Sequence, residues 1–214
     1  ALVAMVLAVA SGVILALGKM SLTPPIRWAA TAWIEFFRGF PVLLLILFSF
    51  NGLPKLGIEL SRFSYLVLAL VLYNGAVLGE IFRAGILSLD SGQREAAFAL
   101  GLRYWAAMRL VLIPQAMRRM VPAIVSQLIT LLKDTSLGFV VGFEELLRRG
   151  RINGEFGGNV LQSYVVVALM FIAVNFTLSR IARRLEVRQR RRLSAGSIQV
   201  AGVEDLAAVS GRLS

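Results

Sequence analysis

The chain of 214 residues is 57% hydrophobic and 16% charged, with a mean hydropathy of +0.76. Soluble domains run nearer roughly 45–50% apolar and about 25% charged, so the composition is that of a membrane protein. It contains no cysteine and no histidine, which excludes disulfides and thiolate metal sites and removes the usual general base and commonest metal ligand. Hydrolytic or metal chemistry is therefore not expected here.

Five stretches are apolar enough to cross a bilayer, each crossing needing about 20 such residues. Ala1 to Gly18 carries no charge, and neither does the shorter Gly39 to Pro54. Phe63 to Gly79 is uncharged and runs on through "EIFRAGIL"; Met120 to Phe143 holds only Lys133 and Asp134; Phe156 to Ser179 is uncharged for 24 residues. The first stretch opens the chain at Ala1 without a basic head or cleavage site, so it reads as a span rather than a signal peptide, and a natural N-terminal piece is expected to precede it. The fold class is all-α integral membrane, with about five transmembrane helices.

Five spans place the connecting segments on two alternating sides. Lys19, Arg27 and Arg38, then Arg83, Arg94, Arg103, Arg109, Arg118 and Arg119, and eight arginines from Arg180 onward share one side, 17 of the 23 basic residues against 12 acidic ones in the chain. The positive-inside rule puts that side in the cytoplasm, with the N-terminus outside and the C-terminus inside. Arg148, Arg149 and Arg151 count against this arrangement, but more weakly than the tail counts for it. The "RQRRR" run after the last span reads as an anchor on anionic lipid, worth about 1 kcal/mol per charge, rather than as a nucleic-acid patch. Residues 1–193 then form one transmembrane domain and 194–214 a loosely held cytoplasmic tail.

Between the first two spans, "TPPIRWAATAWIEFFRGFP" starts at Thr23, an N-cap candidate, with Pro24 and Pro25 in the first turn. Its mixed tryptophans, phenylalanines and charges suit a helix over 23–38 lying in the membrane interface, with Glu35 and Arg38 spaced to pair. Gly39 and Pro41 redirect the chain into the bilayer. Glu80 and Arg83, near the end of the third span, are likewise spaced for a salt bridge.

The segment 93–114, with "REAAFALGLRYWAAMRLVLIP" at its heart, lies on the cytoplasmic side. Ala96, Ala97 and Ala99 make a strong helix former with a small-residue face, and Gly101 ends or bends that helix. A second amphipathic piece follows to Met108 before Ile113 and Pro114 return to the membrane. On residue types alone this helix-Gly-helix element is either a docking plug or an interfacial hairpin.

In the fourth span "LLKDTSLG" brings Lys133, Asp134, Thr135 and Ser136 to membrane depth, where a charge costs about 2.5–3.5 kcal/mol and usually faces a cavity or a partner. Opposite charges side by side, with two hydroxyls next to them, make these four residues candidates to line a polar cavity. Adjacent helical residues point about 100° apart, so both face inward only if the helix unwinds near Thr135, Ser136 and Gly138. The alternative is that the two charges pair with other helices or hold a dimer interface. Asn74 is a further pocket candidate. No internal repeat is visible, which disfavours a two-fold inverted-repeat carrier.

"EAAFALG", followed thirteen residues after Gly101 by the proline of "LIPQA", resembles the EAA loop of ABC importer membrane subunits. "YNGAVLGEIFRAGI", "GQREAAFALGL", "VLIPQAMRRMVP", "LLKDTSLGFVVGFEEL" and "WIEFFRGFPVLLL" resemble, in order, the polar amino acid (His/Glu/Gln-type) permease family, over about residues 23–192. The wording is most similar to actinobacterial glutamate-type permeases. The resemblance implies the membrane-spanning subunit of an ATP-driven ABC importer in a bacterial plasma membrane, not an enzyme itself. It would carry a glutamate- or glutamine-like amino acid received from an extracytoplasmic binding protein. The chain has no G-x-x-x-x-G-K-[ST] loop, so ATP and magnesium would belong to a separate ATP-binding cassette subunit. A second permease chain, identical or similar, would complete the membrane unit. The family's coupling residues fall on Arg94, Glu95, Ala96, Ala97, Leu100 and Gly101. Two departures leave the cargo open: Ser126 and Gln127 stand where the family often has asparagine, and Asn74 where small residues are common. An ion-coupled secondary amino acid carrier is the competing reading.

Overall fold

The computed structural model describes residues 1–210, and the side chains of these apart from Trp105, Leu185, Glu186 and 188–210. The described residues are helical, with helices α1 Leu2–Lys19, α2 Pro24–Gly39, α3 Val42–Gly52, α4 Arg62–Leu87, α5 Ser91–Ala99, α6 Tyr104–Ala107, α7 Ile113–Asp134, α8 Leu146–Gly157 and α9 Val160–Ser210. Short 3₁₀ turns cover Leu53–Leu56 and Thr135–Val141, and a π-helical turn covers Met108–Leu112.

Four stretches are long and apolar enough to cross a membrane: Leu2–Lys19, Arg62–Leu87, Met108–Val141 and Val160–Arg184. A fifth crossing arises if α2 with α3 is one broken span, bent by 101°. The bend has its cause in sequence. Gly39 ends α2 and Pro41, which has no amide hydrogen to donate, starts α3 from an extended conformation. With its 3₁₀ extension, α3 rises about 25 Å, just short of a hydrocarbon core of about 30 Å.

The core forms where α1 lies along α4. Ala4, Ala8, Gly12 and Ala16 recur every fourth residue and are all buried on one face of α1. Gly75 and Gly79 answer them on α4. A Cβ on Gly12 would stand 2.8 Å from Leu78 Cβ and 3.1 Å from the Gly79 nitrogen, and one on Gly75 would strike the Ser11 hydroxyl. Small residues let the backbones approach, which is how membrane helices gain packing energy when lipid offers no hydrophobic drive between them. The order of these contacts, Ala8 with Gly75 and Gly12 with Gly79, makes the two helices parallel, so the chain between them must cross back.

Three boundaries differ from the sequence expectation. The fourth apolar stretch begins at Met108 rather than Met120, because Pro114 sits in the first turn of α7 and does not break it. At 34 residues it spans about 50 Å, more than the hydrocarbon needs, so one end projects from it. An unexpected helix, α8, precedes the last span; the Glu145 carboxylate caps it by accepting from the Leu147 and Arg148 amides at 2.8 and 2.6 Å. The α9 backbone continues past Leu193 without a break, so no change of backbone separates a permease body from the tail expected at 194–214; residues 211–214 of that tail lie outside the described ones.

Candidate translocation and coupling sites

The segment read as a coupling element is a capped, exposed helix. Asp90 starts α5 by accepting a hydrogen bond from the Gly92 amide at 2.9 Å. The helix closes in a Schellman arrangement, with the Gly101 amide donating to Phe98 and the Leu102 amide to Ala97. Gly101 has φ +76°, the left-handed conformation that glycine adopts without a Cβ penalty. Ala97 is buried, while Arg94, Glu95, Ala96 and Leu100 are exposed, Leu100 by 82%. Arg94 and Glu95 take part in no ion pair among the described residues.

This element is fastened to the span that follows it. Gln115 donates to Gln93 across 3.0 Å, and Arg119 donates to the Ser88 carbonyl at the end of α4. The amphipathic piece expected after Gly101 is not a free helix: α6 runs through the π-helical turn into α7. A π turn widens the backbone ring by one residue and is found mostly as a single turn, often at functional sites.

A four-charge network anchors the interfacial helix. Lys19, at the end of α1, donates to Glu35 of α2 at 3.0 Å and to Glu80 of α4 at 3.1 Å. Arg83 binds the same Glu80 carboxylate through its Nε at 3.1 Å, the pairing that its spacing predicts. Glu35 is thus taken by Lys19 rather than by Arg38. The i, i+3 rule considers one helix, whereas the close approach of α1 brings a third partner within reach. Trp28, Trp33 and Phe36 remain exposed along α2, where a membrane interface would receive them. Thr23 begins α2 as predicted, yet its side chain makes no cap bond; Pro25, at the second helical position, has no amide hydrogen to offer.

The polar residues of the third and fourth spans divide into two groups. Asn74 is fully buried: its amide donates to the Leu70 carbonyl at 3.0 Å and its oxygen accepts from Gln127 at 2.8 Å. It ties α4 to α7 and is not open to a ligand, contrary to the pocket role expected of it. Lys133 is exposed and Asp134 half-buried, and neither is in an ion pair among the described residues. The expected pairing with other helices of the chain is absent among those residues. The switch from α- to 3₁₀-helix falls after Asp134, and the Thr135 and Ser136 hydroxyls turn back onto the carbonyls of Leu132 and Lys133 at 2.6 and 2.7 Å. Lys133 and Asp134 therefore still diverge by about 100°. Gly138 lies within the 3₁₀ segment and is buried, so close to Leu66 that a Cβ there would stand 2.7 Å from it. Ser126, Thr130 and Lys133 follow at helical spacing along one side of α7, with Ser126 and Lys133 exposed. The Ser126 end of this side faces α9 of the same chain, and the Lys133 end is open.

Comparison with known proteins agrees with this architecture. Residues 8–191 match the family described as binding-protein-dependent transport system inner membrane component, and the chain belongs to that family. It is 41% identical over 192 residues to the probable glutamine ABC transporter permease protein GlnP of Bacillus subtilis, covering 88% of each chain. It is 39% identical over 199 residues to the glutamate transport system permease protein GluD of Corynebacterium glutamicum, covering 92% of this chain and 71% of the relative. A solved structure, the crystal structure of an amino acid ABC transporter with histidines, superposes with a TM-score of 0.82 at 36% identity, covering 86% of both chains. The chain is thus an ABC permease subunit, a membrane component of a transport system.

Proposed function

We propose that this chain is the membrane-spanning subunit of an ATP-driven importer for a polar amino acid of the glutamate or glutamine kind, delivered by an extracytoplasmic binding protein. One observation carries the reading: α5 stands exposed between two spans, rigidly capped, with Glu95 unpaired and Leu100 bare. An exposed apolar residue beside an unpaired charge is the surface of a helix awaiting a partner. That partner is an ATP-binding cassette subunit, which binds ATP and magnesium; Arg94, Glu95, Ala96, Ala97, Leu100 and Gly101 form the contact. Names among the relatives, glutamine and glutamate, support the cargo class.

The N-terminus lies outside and the C-terminus in the cytoplasm of a bacterial plasma membrane, so that α5 faces the ATPase. The domain comprises residues 1–193, followed by a cytoplasmic tail at 194–214. A second permease chain packs against the Lys133 end of α7, and Lys133, Asp134, Thr135 and Ser136 from the two chains line the path. Lys133 attracts the cargo carboxylate and Asp134 its ammonium. Their divergence in one chain is resolved by two chains, one contributing each direction. Closure of the ATPase pair moves the two permeases between inward-open and outward-open states, which needs a bistable interface and no chemical group here.

Uptake of labelled glutamate and glutamine into proteoliposomes holding the assembled complex tests the reading. Uptake that requires ATP and loaded binding protein supports it. Uptake that follows a proton or sodium gradient without ATP would replace it with a secondary carrier.

A further inference from the structure

A cavity of about 350 Å³ opens between α7 and α9, lined by Pro122, Ser126, Ile129, Ser179, Ala182 and Arg183. It exists because Ser126, Ser179 and Ala182 are small where the two helices meet. Among the described residues, the Ser126 and Ser179 hydroxyls and the Arg183 guanidinium have no hydrogen-bond or ion-pair partner. The polar lining is therefore one cation and two hydroxyls, with no acid. The remaining lining is apolar.

We propose that this cavity binds the headgroup of an anionic phospholipid, with the phosphodiester on Arg183 and the two serines. Charge complementarity favours this occupant: a phosphodiester brings one negative charge and only acceptor oxygens, matching a lining rich in donors. An amino acid would also bring an ammonium, for which no carboxylate stands ready among the described side chains. Depth agrees, because Arg183 lies at the end of the Val160–Arg184 span, where basic pockets between helices meet headgroups. Surroundings agree as well. Only 11% of that span is buried within the chain, so most of α9 is left to neighbours outside its own bundle, and Ile129, Pro122 and Ala182 offer apolar walls to the first methylenes of an acyl chain. This inference rests on the membrane-spanning fold and not on the cargo or on ATP coupling.

Native mass spectrometry of the purified transporter complex, after incubation with phosphatidylglycerol or phosphatidylcholine, reads this binding without turnover. One phosphatidylglycerol per permease chain is expected to be retained in preference to phosphatidylcholine. Arg183→Gln should weaken that retention about fivefold, the weight of one basic residue near a membrane surface. Ala182→Trp, which fills the cavity and leaves every charge in place, should abolish it, while Arg184→Gln, outside the lining, should not change it. Equal retention of the two lipids, or indifference to both Arg183→Gln and Ala182→Trp, would overturn the proposal. Displacement of the lipid by millimolar glutamate would overturn it too and make the cavity an amino acid site.

Discussion

Asn74 and Gln127 make the strongest test of the structure at the scale of single residues. An amide oxygen in the interior of a membrane bundle lacks water, and Gln127 supplies the hydrogen bond that water cannot. Gln127→Ala is expected to lower the thermal stability of the complex by about 0.6 kcal/mol, or up to about 1.7 if Asn74 finds no replacement partner; unfolding monitored in detergent reads the shift. The closest backbone approach predicts a larger effect. Gly12→Leu must separate α1 from α4, since even a Cβ meets Leu78 and Gly79, and should abolish assembly. Gly39→Ala, which meets nothing within 4 Å, should be tolerated. The sequence announced that Asn74 was unusual, yet its partner lies 53 positions away and no local pattern joins them. The stripe Ala4, Ala8, Gly12, Ala16 was not read from the sequence, because its meaning depends on which helix it meets.

Helix α5 shows how far local chemistry determines an element. Three alanines within it and Gly101 after it were legible in the sequence, and the helix stops at that glycine; the Asp90 cap that starts it was not singled out. Gly101→Val would force a branched side chain into φ +76° and is expected to cost about 1–3 kcal/mol locally, seen as faster proteolysis between Ala99 and Arg103. Less legible was the stretch after it. Pro114 reads from sequence as the return to the membrane, whereas it lies in the first turn of α7, where its missing amide hydrogen is no loss; the π turn at Met108–Leu112 has no composition signal at all. The elbow helix α2 carries a similar lesson. Its boundaries follow from Thr23, the prolines and Gly39, but the choice of Lys19 over Arg38 by Glu35 depends on how α1 and α2 pack. Glu35→Gln removes one of the links holding α2, so cross-linking between α1 and α2 should fall, while Arg38→Gln should leave it unchanged.

For the whole molecule, the apolar pattern dictated the number and order of spans, and the distribution of arginines dictated the proposed sidedness. The absence of cysteine from the chain makes that sidedness measurable. A single cysteine at Ser91 should react with a membrane-impermeant thiol reagent only from the cytoplasmic side, and one at Glu155 only from outside. The candidate translocation residues were harder to place from one chain. Lys133 and Asp134 stood out because charges are rare at membrane depth, but neither has an ion-pair partner among the described residues. With such a path, Lys133→Ala should reduce glutamate uptake at least tenfold without disturbing assembly; RT ln 10 is about 1.4 kcal/mol, within the scale of one charge-assisted hydrogen bond.

Coupling of transport to ATP through α5 is the central claim, and ATP hydrolysis by the reconstituted complex tests it most directly. The rate is compared with and without glutamate-loaded binding protein, for the native chain and for Glu95→Lys. Stimulation by the loaded protein that Glu95→Lys abolishes, with the complex still assembled, is the predicted result. Equal stimulation in the two complexes would contradict it.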